Sequence, residues 1–366
     1  MKTINSFSDN ALPFVTVVIP VRNEHRYIRS CLDSVLSQDY PADHLEILLC
    51  VSPSEDDTEE IIVEYQEKYD HIHMLKNPKG TISCGVNTGI RAAKGDYIVR
   101  LDAHTEFASD YISKCIEYLL KTGADNVGGP TIVKGKTPVQ RAVAAAYYSS
   151  FALGGGKQHI KDYEGYSDTV SFGAFKKSTA EAVGLFDENL ILNEDDDFNF
   201  KISEAGGKIF ITPKIRSYYY PRDTYTGLIR QYFGYGLWKV AVIQKHKRPA
   251  RMSHLIPMLF VLFLIPGGLL SIFSKRIRKF YLGVLGLYLG LDAAASFSLK
   301  DVDTQDGARL RFRLMLVHFL LHVSYGCGFI AGIFKFISIN EQISKFAQSY
   351  PTNSKTSSSD APFFMN

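Results

Sequence analysis

Short apolar runs alternate with longer amphipathic segments along much of the chain. The apolar runs predict strands at 15–20, 45–51, 72–76, 97–101 and near 126–133, and the amphipathic segments predict helices at 25–37, 57–69, 83–93 and 109–121. Strands and helices in alternation favour an α/β fold with a mostly parallel sheet and helices on both faces. In such sheets, ligands bind beyond the carboxyl ends of the strands.

Three long apolar stretches occupy the C-terminal part of the chain, at 255–273, 280–297 and 314–334. Each approaches the ~20 residues that a helix needs to cross a bilayer. The alternative is a buried helical subdomain of a soluble protein. We therefore expect a soluble α/β domain at 1–250, a C-terminal region of membrane helices at 251–340 and a disordered polar tail at 341–366.

Basic clusters flank the first apolar stretch, at 245–251 and 275–279. Both clusters favour the cytoplasmic face of a membrane, and one complete crossing cannot place both of them there. Because Pro257, Pro266 and Gly267 interrupt this stretch, we expect it to be re-entrant or interfacial, while the other two stretches form a spanning hairpin. Three complete crossings are the alternative.

Overall composition narrows the class of protein. The formal net charge of +3 gives no reason to expect a nucleic-acid partner. The 5 cysteines lie in or beside apolar patterns without paired spacing. This distribution predicts reduced thiols in a cytosolic domain rather than a disulfide framework.

Polar side chains follow the first four predicted strands. They are Asn23 and Glu24 after the first, Ser52, Ser54 and Asp56 after the second, Asn77 after the third, and Asp102 and His104 after the fourth. A carboxylate and an imidazole two residues apart can reach one divalent cation, and this pair suits Mn²⁺ or Mg²⁺ held together with phosphates. Alternatively, Asp102 caps the next turn, and Asp56 forms a helix-capping box with Glu59.

The order of these motifs resembles that of the family 2 glycosyltransferases, which have the GT-A fold, over roughly residues 14 to 240. His104 and the apolar C-terminal region are similar to the membrane-attached branch that makes succinoglycan-type exopolysaccharides. The resemblance implies Mn²⁺ or Mg²⁺ at Asp102 and His104, and a nucleotide-sugar donor bound by Pro20, Arg22, Asn23, Glu24, Ser52, Ser54, Asp56, Asn77, Asn87 and Asp102. The family's acidic residue after the second strand is absent, which leaves the nucleobase open.

Four consecutive acidic residues, 194–197, precede a helix pattern. Acidic side chains at a helix N-terminus interact favourably with the helix dipole, but this does not account for four carboxylates that repel one another. The resemblance aligns Glu194 and Asp195 with the family's Glu-Asp motif. It implies that Asp195 is the catalytic base and that Glu194 supports it.

The acceptor side is expected in the second half of the soluble domain. A helix at 137–153 precedes an aperiodic segment up to Asp168, which we predict to be a mobile loop over the site. A predicted strand at 170–175 follows. The resemblance implies acceptor-side roles for Gly173, Trp238 and Lys239. The segment around Trp238 lacks the Gln-x-x-Arg-Trp motif of processive relatives, and an amphipathic helix on the membrane surface is its alternative explanation.

Together, the resemblance implies an inverting, metal-dependent glycosyltransferase of the hexosyltransferase class, acting in exopolysaccharide or cell-surface polysaccharide synthesis. The expected partners are a nucleotide-sugar, a polyprenyl-diphosphate-linked or other glycan acceptor, and membrane lipid. We expect a cell-membrane location, multi-pass or partly re-entrant, with the active site on the cytoplasmic side. The alternatives are a catalytically silent scaffold and a nucleotidyltransferase, although residues 20–24 lack the Gly-rich basic phosphate loop of the latter.

Overall fold

A central sheet of eight strands forms the core of the catalytic part of the molecule. The computed structural model describes residues 12–154, 156–249, 251–299 and 307–349, with side chains up to residue 336. The strands are β1 (Val15–Val21), β2 (Leu45–Val51), β3 (Ile72–Lys76), β4 (Tyr97–Arg100), β5 (Thr105–Phe107), β6 (Asn126–Gly128), β7 (Thr131–Val133), β8 (Gly165–Ser167), β9 (Ala174–Lys176), β10 (Ile209–Ile211) and β11 (Ser217–Tyr219).

The sheet order is β3-β2-β1-β4-β9-β6-β10-β8, and a second sheet has the order β5-β11-β7. The strands β3, β2, β1 and β4 are parallel, as expected from the alternation of strands and helices. β9 is antiparallel to both of its neighbours, and β8 is antiparallel to β10. The prediction of an α/β fold with a mostly parallel sheet and C-terminal apolar helices is confirmed.

Helices pack on both faces of this sheet. Those on the sheet are α1 (Ile28–Leu36), α2 (Thr58–Gln66), α3 (Ile82–Ala92), α4 (Tyr111–Thr122), α7 (Lys177–Ala182) and α8 (Glu194–Glu204). The helices α5 (Pro138–Tyr147), α6 (Ser150–Leu153) and α9 (Tyr225–His246) instead form a separate core with the C-terminal helix that begins at Gly307. In β1, Val17 and Ile19 enter one core with α1, α2 and α4, whereas Val18 enters a second core with α3 and α8. Full burial of each such side chain contributes roughly 1.5–3 kcal/mol. A strand covered on both faces needs a nearly continuous apolar run, and in β1 only Thr16 interrupts it.

Three predicted elements of the second half differ in the structure. The strand near 126–133 is divided between the two sheets at Gly129, where a Cβ would lie 1.6 Å from the carbonyl oxygen of Ile215. The helix at 137–153 is divided into α5 and α6. The strand at 170–175 begins only at Ala174, because Phe172 has a φ of 49°, which is left-handed backbone that a strand does not accommodate.

The aperiodic segment before Asp168 is tied to its surroundings. Its strand β8 pairs with β10. The Asp168 carboxylate accepts hydrogen bonds from Arg251 Nε at 2.8 Å and Nη2 at 2.6 Å. These bonds connect the segment to the chain just before the first apolar helix, so it is not a free loop as the sequence suggested.

The C-terminal part consists of α10 (Ile256–Leu262), α11 (Gly268–Phe273), α12 (Lys275–Ser298) and α13 (Gly307–Ser349). Among the described residues, three helical segments are long and apolar enough to cross a membrane: Met252–Phe273, Lys275–Ser298 and Gly307–Phe336. Pro266 does not break the first segment, because a π-helical turn at Phe263–Gly267 connects α10 to α11. After a turn at Ser274, α12 packs back against α11. The Tyr281 hydroxyl of α12 donates to the carbonyl oxygen of Leu264 in the π-helical turn at 3.3 Å.

α13 packs closely along α9 of the catalytic part. A Cβ on Gly236 would lie 2.0 Å from the carbonyl oxygen of Tyr325, and one on Gly328 would lie 2.0 Å from that of Phe233. Glycine at both positions therefore lets the two helix backbones touch. α13 continues to Ser349, so the start of the predicted disordered tail is helical, and the rest of that tail lies outside the described residues.

The basic cluster at 245–251 was expected to face anionic lipid. In the structure its side chains contact carboxylates of the catalytic part: Lys245 bonds to Asp187 and Asp197, His246 to Asp197 and Glu204, Arg248 to Glu204, and Arg251 to Asp168. These ion pairs anchor the end of α9 to the protein. Lys245, His246 and Arg251 are thus engaged within the protein, whereas Lys247 and Arg248 remain exposed.

Candidate active site

Polar side chains after β1, β2, β3 and β4 share the carboxyl edge of the sheet and bond to one another. The buried Asn77 amide donates to Ser52 Oγ at 3.1 Å. The Asn23 backbone N–H donates to Ser54 Oγ at 3.1 Å. Glu24 Oε1 lies 3.2 Å from His104 Nδ1. Pro20 lies within β1 and Arg22 is exposed directly after it. The structure thus brings these predicted donor-site residues to one edge.

Asp102 and His104 lie directly beyond β4, each with a second charged group beside it. Asp102 Oδ1 accepts a hydrogen bond from Arg100 Nη2 at 3.3 Å. The His104 ring packs edge-on against Tyr219, with 6.2 Å between ring centres. Although burial opposes it, the Glu24 and Asp102 carboxylates raise the pKa of His104. The partly exposed Asp102 carboxylate faces the edge where the other strand-end groups meet.

The side chains of Asp102 and His104 fit a divalent cation that is also bound by phosphate oxygens. Among the described residues, no three His, Cys, Asp or Glu side chains are grouped to hold a metal ion by themselves. Asp102 and His104 would supply two ligands. Mg²⁺-type sites that bind phosphorylated substrates commonly use one or two carboxylates and leave the remaining positions to phosphate oxygens and water.

The four consecutive carboxylates form the first turn of α8, and three of them are paired with basic side chains. Glu194 Oε1 accepts from Arg100 Nη2 at 3.0 Å. Asp196 bonds to Lys239 of α9. The fully buried Asp197 accepts from Lys245 at 3.0 Å and lies 2.8 Å from His246 Nε2. In the described part of the chain, Asp195 forms no salt bridge, and its Oδ1 accepts only the backbone N–H of Asp196 at 2.8 Å.

The pKa of Asp195 is shifted by different causes from those that act on its neighbours Glu194 and Asp196. Burial and the adjacent Asp196 carboxylate raise the pKa of Asp195 above that of an ordinary aspartate. Burial also raises the pKa of Glu194, and Arg100 opposes that rise. Burial acts in the same direction on Asp196, but Lys239 outweighs it and lowers the pKa of that group. An unpaired carboxylate with a raised pKa is a better proton acceptor than one bound to a cation.

The turn before α8 holds Asp195 in place. Asn193 has a φ of 61°, a left-handed backbone conformation that asparagine adopts more readily than most residues other than glycine. Its side-chain amide donates to the carbonyl oxygen of Tyr235 in α9 at 3.0 Å. The start of α8 is therefore fixed against α9 by a side-chain bond.

Two predicted donor-site residues have other contacts. The Asn87 amide donates to Phe186 O and to Glu188 Oε1, and its oxygen accepts the Phe186 N–H at 2.9 Å. Since these bonds occupy the amide, we do not retain Asn87 among the donor-binding residues. Asp56 accepts from the Thr58 hydroxyl and N–H and from the His25 N–H, so it organises the loop before α2 without forming the capping box.

The predicted acceptor-side residues occupy different surroundings. Lys239 is buried and reaches Asp196, next to the candidate base. Trp238 points away from it and packs against Phe336 of α13, with 5.4 Å between ring centres. At Gly173 a Cβ would lie 2.2 Å from Asn126 Oδ1. The close approach that Gly173 permits is therefore to Asn126, within the protein.

Arg100 is a site residue that was not predicted from the sequence. It ends β4 and is 5% exposed, and its contacts join Asp102 to Glu194. The signal in the sequence was an arginine at the end of an otherwise apolar strand, since a cation buried there requires carboxylates nearby.

Comparison with known proteins identifies the family of the chain. The model of the glycosyl transferase family 2 matches residues 16–184. The succinoglycan biosynthesis protein ExoA of Rhizobium meliloti (strain 1021) is 30% identical over 244 residues, which cover 66% of this chain and 74% of that protein. A Methanococcus voltae protein named dolichyl N-acetyl-alpha-D-glucosaminyl phosphate 3-beta-D-2,3-diacetamido-2,3-dideoxy-beta-D-glucuronosyltransferase is 29% identical over 331 residues, 88% of this chain and 98% of that protein.

A solved structure has a similar fold. It is the mannosyltransferase PcManGT from Pyrobaculum calidifontis in complex with GDP-Man and Mn²⁺, with a TM-score of 0.57 and 19% identity. The match covers 88% of each chain. The fold similarity therefore extends beyond the catalytic sheet into the apolar C-terminal helices.

Proposed function

Because the chain belongs to glycosyl transferase family 2, we propose that it transfers a sugar from a nucleotide-sugar donor to a lipid-linked glycan with inversion at the anomeric carbon. The observation that carries the proposal is the isolation of Asp195. Its three acidic neighbours in the first turn of α8 are each paired with a basic side chain, whereas Asp195 forms no such pair with the described residues.

In this mechanism Asp195 accepts the proton of the acceptor hydroxyl as that oxygen attacks the anomeric carbon. The bond between the anomeric carbon and the diphosphate oxygen breaks in the same displacement, and the nucleoside diphosphate leaves. A single displacement inverts the configuration. Glu194 is held by Arg100 and supports the turn that positions Asp195.

The proposed metal residues are Asp102 and His104, with Glu24 orienting the imidazole from 3.2 Å. A bound Mn²⁺ or Mg²⁺ supplies charge neutralisation for the leaving diphosphate. Asn23, Ser52, Ser54 and Asn77 line the same edge and are the proposed contacts for the nucleotide. The Mn²⁺ complex of the Pyrobaculum enzyme, which has a similar fold, is consistent with this choice of metal.

A lipid-linked acceptor is proposed from the position of the apolar helices. α13 packs along α9, and α9 carries Lys239, whose ammonium group bonds to the neighbour of the candidate base. The site therefore lies next to the membrane-associated part. The Methanococcus relative is named for a dolichyl-linked sugar phosphate acceptor, and the Rhizobium relative for succinoglycan biosynthesis. We propose a cell-membrane location with the active site on the cytoplasmic side.

The test is a nucleotide-sugar panel. Membranes containing the full-length protein and a lipid-linked oligosaccharide extract are incubated with each donor, and released nucleoside diphosphate is measured. One or a few donors should give release that is lost in excess chelator and in Asp195→Asn. Asp43→Asn, at a surface carboxylate beside His44, is the matched control and should retain the parent rate. Full activity in chelator would contradict the metal, and parent-like release by Asp195→Asn would contradict the base.

A further inference from the structure

Arg100 is a buried cation that contacts both halves of the proposed site. Its Nη2 lies 3.3 Å from Asp102 Oδ1 and 3.0 Å from Glu194 Oε1. Its guanidinium carbon lies 5.8 Å from the centre of the Phe186 ring, which stacks on Phe198 of α8 with 4.2 Å between ring centres. Packing and charge together hold this side chain between β4 and α8.

We propose that Arg100 is a positioning residue that couples Asp102 to the start of α8, and that its charge makes metal binding depend on the diphosphate of the donor. The proposal rests on the proposed function, since it takes Asp102 as a metal ligand and Asp195 as the base. It assigns two separable effects to one guanidinium group.

The first effect concerns the position of the base. Glu194 and Asp195 are adjacent, and the turn before them has a left-handed backbone at Asn193. The ion pair between Arg100 and Glu194 is buried on both sides. Without Arg100, the Glu194 carboxylate would be left buried without a partner, so the first turn of α8 would shift and carry Asp195 with it.

The second effect concerns the metal. A guanidinium group at 3.3 Å from Asp102 repels a divalent cation that binds the same carboxylate. At a separation of ~5 Å this repulsion weakens binding by at least about tenfold, even with the dielectric constant of bulk water. The phosphates of a donor bring compensating negative charge. The metal is therefore retained when the diphosphate is present and held weakly when it is not.

Mn²⁺ titration of the full-length protein in detergent, followed by electron paramagnetic resonance, tests the second effect without turnover. Arg100→Gln should bind Mn²⁺ alone at least about tenfold more tightly than the parent, while its kcat falls by about tenfold or more. Arg100→Lys keeps the charge, so its Mn²⁺ affinity should match the parent. Its side chain is shorter than that of arginine, so its ammonium group should not reach both carboxylates at once, and its kcat should fall. Arg216→Gln removes an exposed arginine paired with Asp110 and should change neither quantity.

The outcomes separate this proposal from the proposed function. If Asp102→Ala retains Mn²⁺ binding, the metal site itself is wrong. If Asp102→Ala loses binding but Arg100→Gln binds Mn²⁺ no more tightly than the parent, the metal site stands and the role of Arg100 is wrong. If Arg100→Gln does not fold, Arg100→Lys decides: a kcat equal to that of the parent overturns the coupling.

Discussion

The same Asp→Asn change should have opposite consequences at Asp195 and Asp197, although the two residues are in one turn of one helix. Asp197 is fully buried and bonds to Lys245 and His246. Asp195 has no salt bridge in the described part of the chain, and burial raises its pKa. Asp197→Asn should therefore reduce stability, and Asp195→Asn should reduce catalysis.

The magnitudes follow from these contacts. Breaking one side of a buried ion pair typically costs about 3–5 kcal/mol. Lys245 keeps Asp187 and His246 keeps Glu204 as second partners, so we expect about 2–4 kcal/mol for Asp197→Asn. At roughly 2–4 °C per kcal/mol, its thermal midpoint should fall by roughly 5–15 °C. Asp195→Asn removes a charge that burial disfavours, so its midpoint should match or exceed that of the parent.

The assay pairs thermal unfolding in detergent with turnover measured well below the midpoint. Asp195→Asn should lower kcat by about 10²–10⁴-fold, the range for loss of a general base. Asp197→Asn should keep kcat within a few-fold of the parent. A normal midpoint for Asp197→Asn, or a nearly normal kcat for Asp195→Asn, would refute the division of roles, and Asp196 would then be the next candidate base.

Three further predictions concern pH and packing. Because the base must be ionised and burial raises the pKa of Asp195, kcat should decline on acidification with a midpoint above the usual ~4 of aspartate, as measured from the pH profile at saturating donor. Lys79 and Asn87 lower the pKa of Glu188 to about 2, so its contribution to stability is present above ~4.3 and is lost as the pH falls towards 2. The difference in free energy of unfolding between the parent and Glu188→Gln is at most about 1 kcal/mol at this partly exposed pair, and the gap between their thermal midpoints should shrink over that window. Gly236→Ala should lose about 1–3 kcal/mol, seen as a lower thermal midpoint, because its Cβ would overlap α13, whereas Gly290→Ala, at an open position, should not.

The strands β1, β2 and β4 were predictable because they are buried and largely apolar, whereas β3, at the edge of the sheet, has a shorter and only partly buried apolar pattern. Their carboxyl ends were predictable as a shared edge because strands that alternate with helices are parallel. Contacts between distant parts of the chain were not, and the bond between Arg100 and Glu194 spans 94 positions. The ion pairs of Lys245 and His246 with Asp197 were likewise not predictable, because they join residues about 50 positions apart. In α13, apolar composition alone could not distinguish a lipid-facing surface from one that packs on α9.

The stereochemistry of the product tests the central claim most directly. With the donor identified by the nucleotide-sugar panel, the new linkage can be assigned from the anomeric proton coupling in a ¹H NMR spectrum of the released glycan. A single displacement assisted by Asp195 predicts an anomeric configuration opposite to that of the donor. Retention of the donor configuration would contradict the account, since it would require a mechanism other than the direct displacement that Asp195 is proposed to assist.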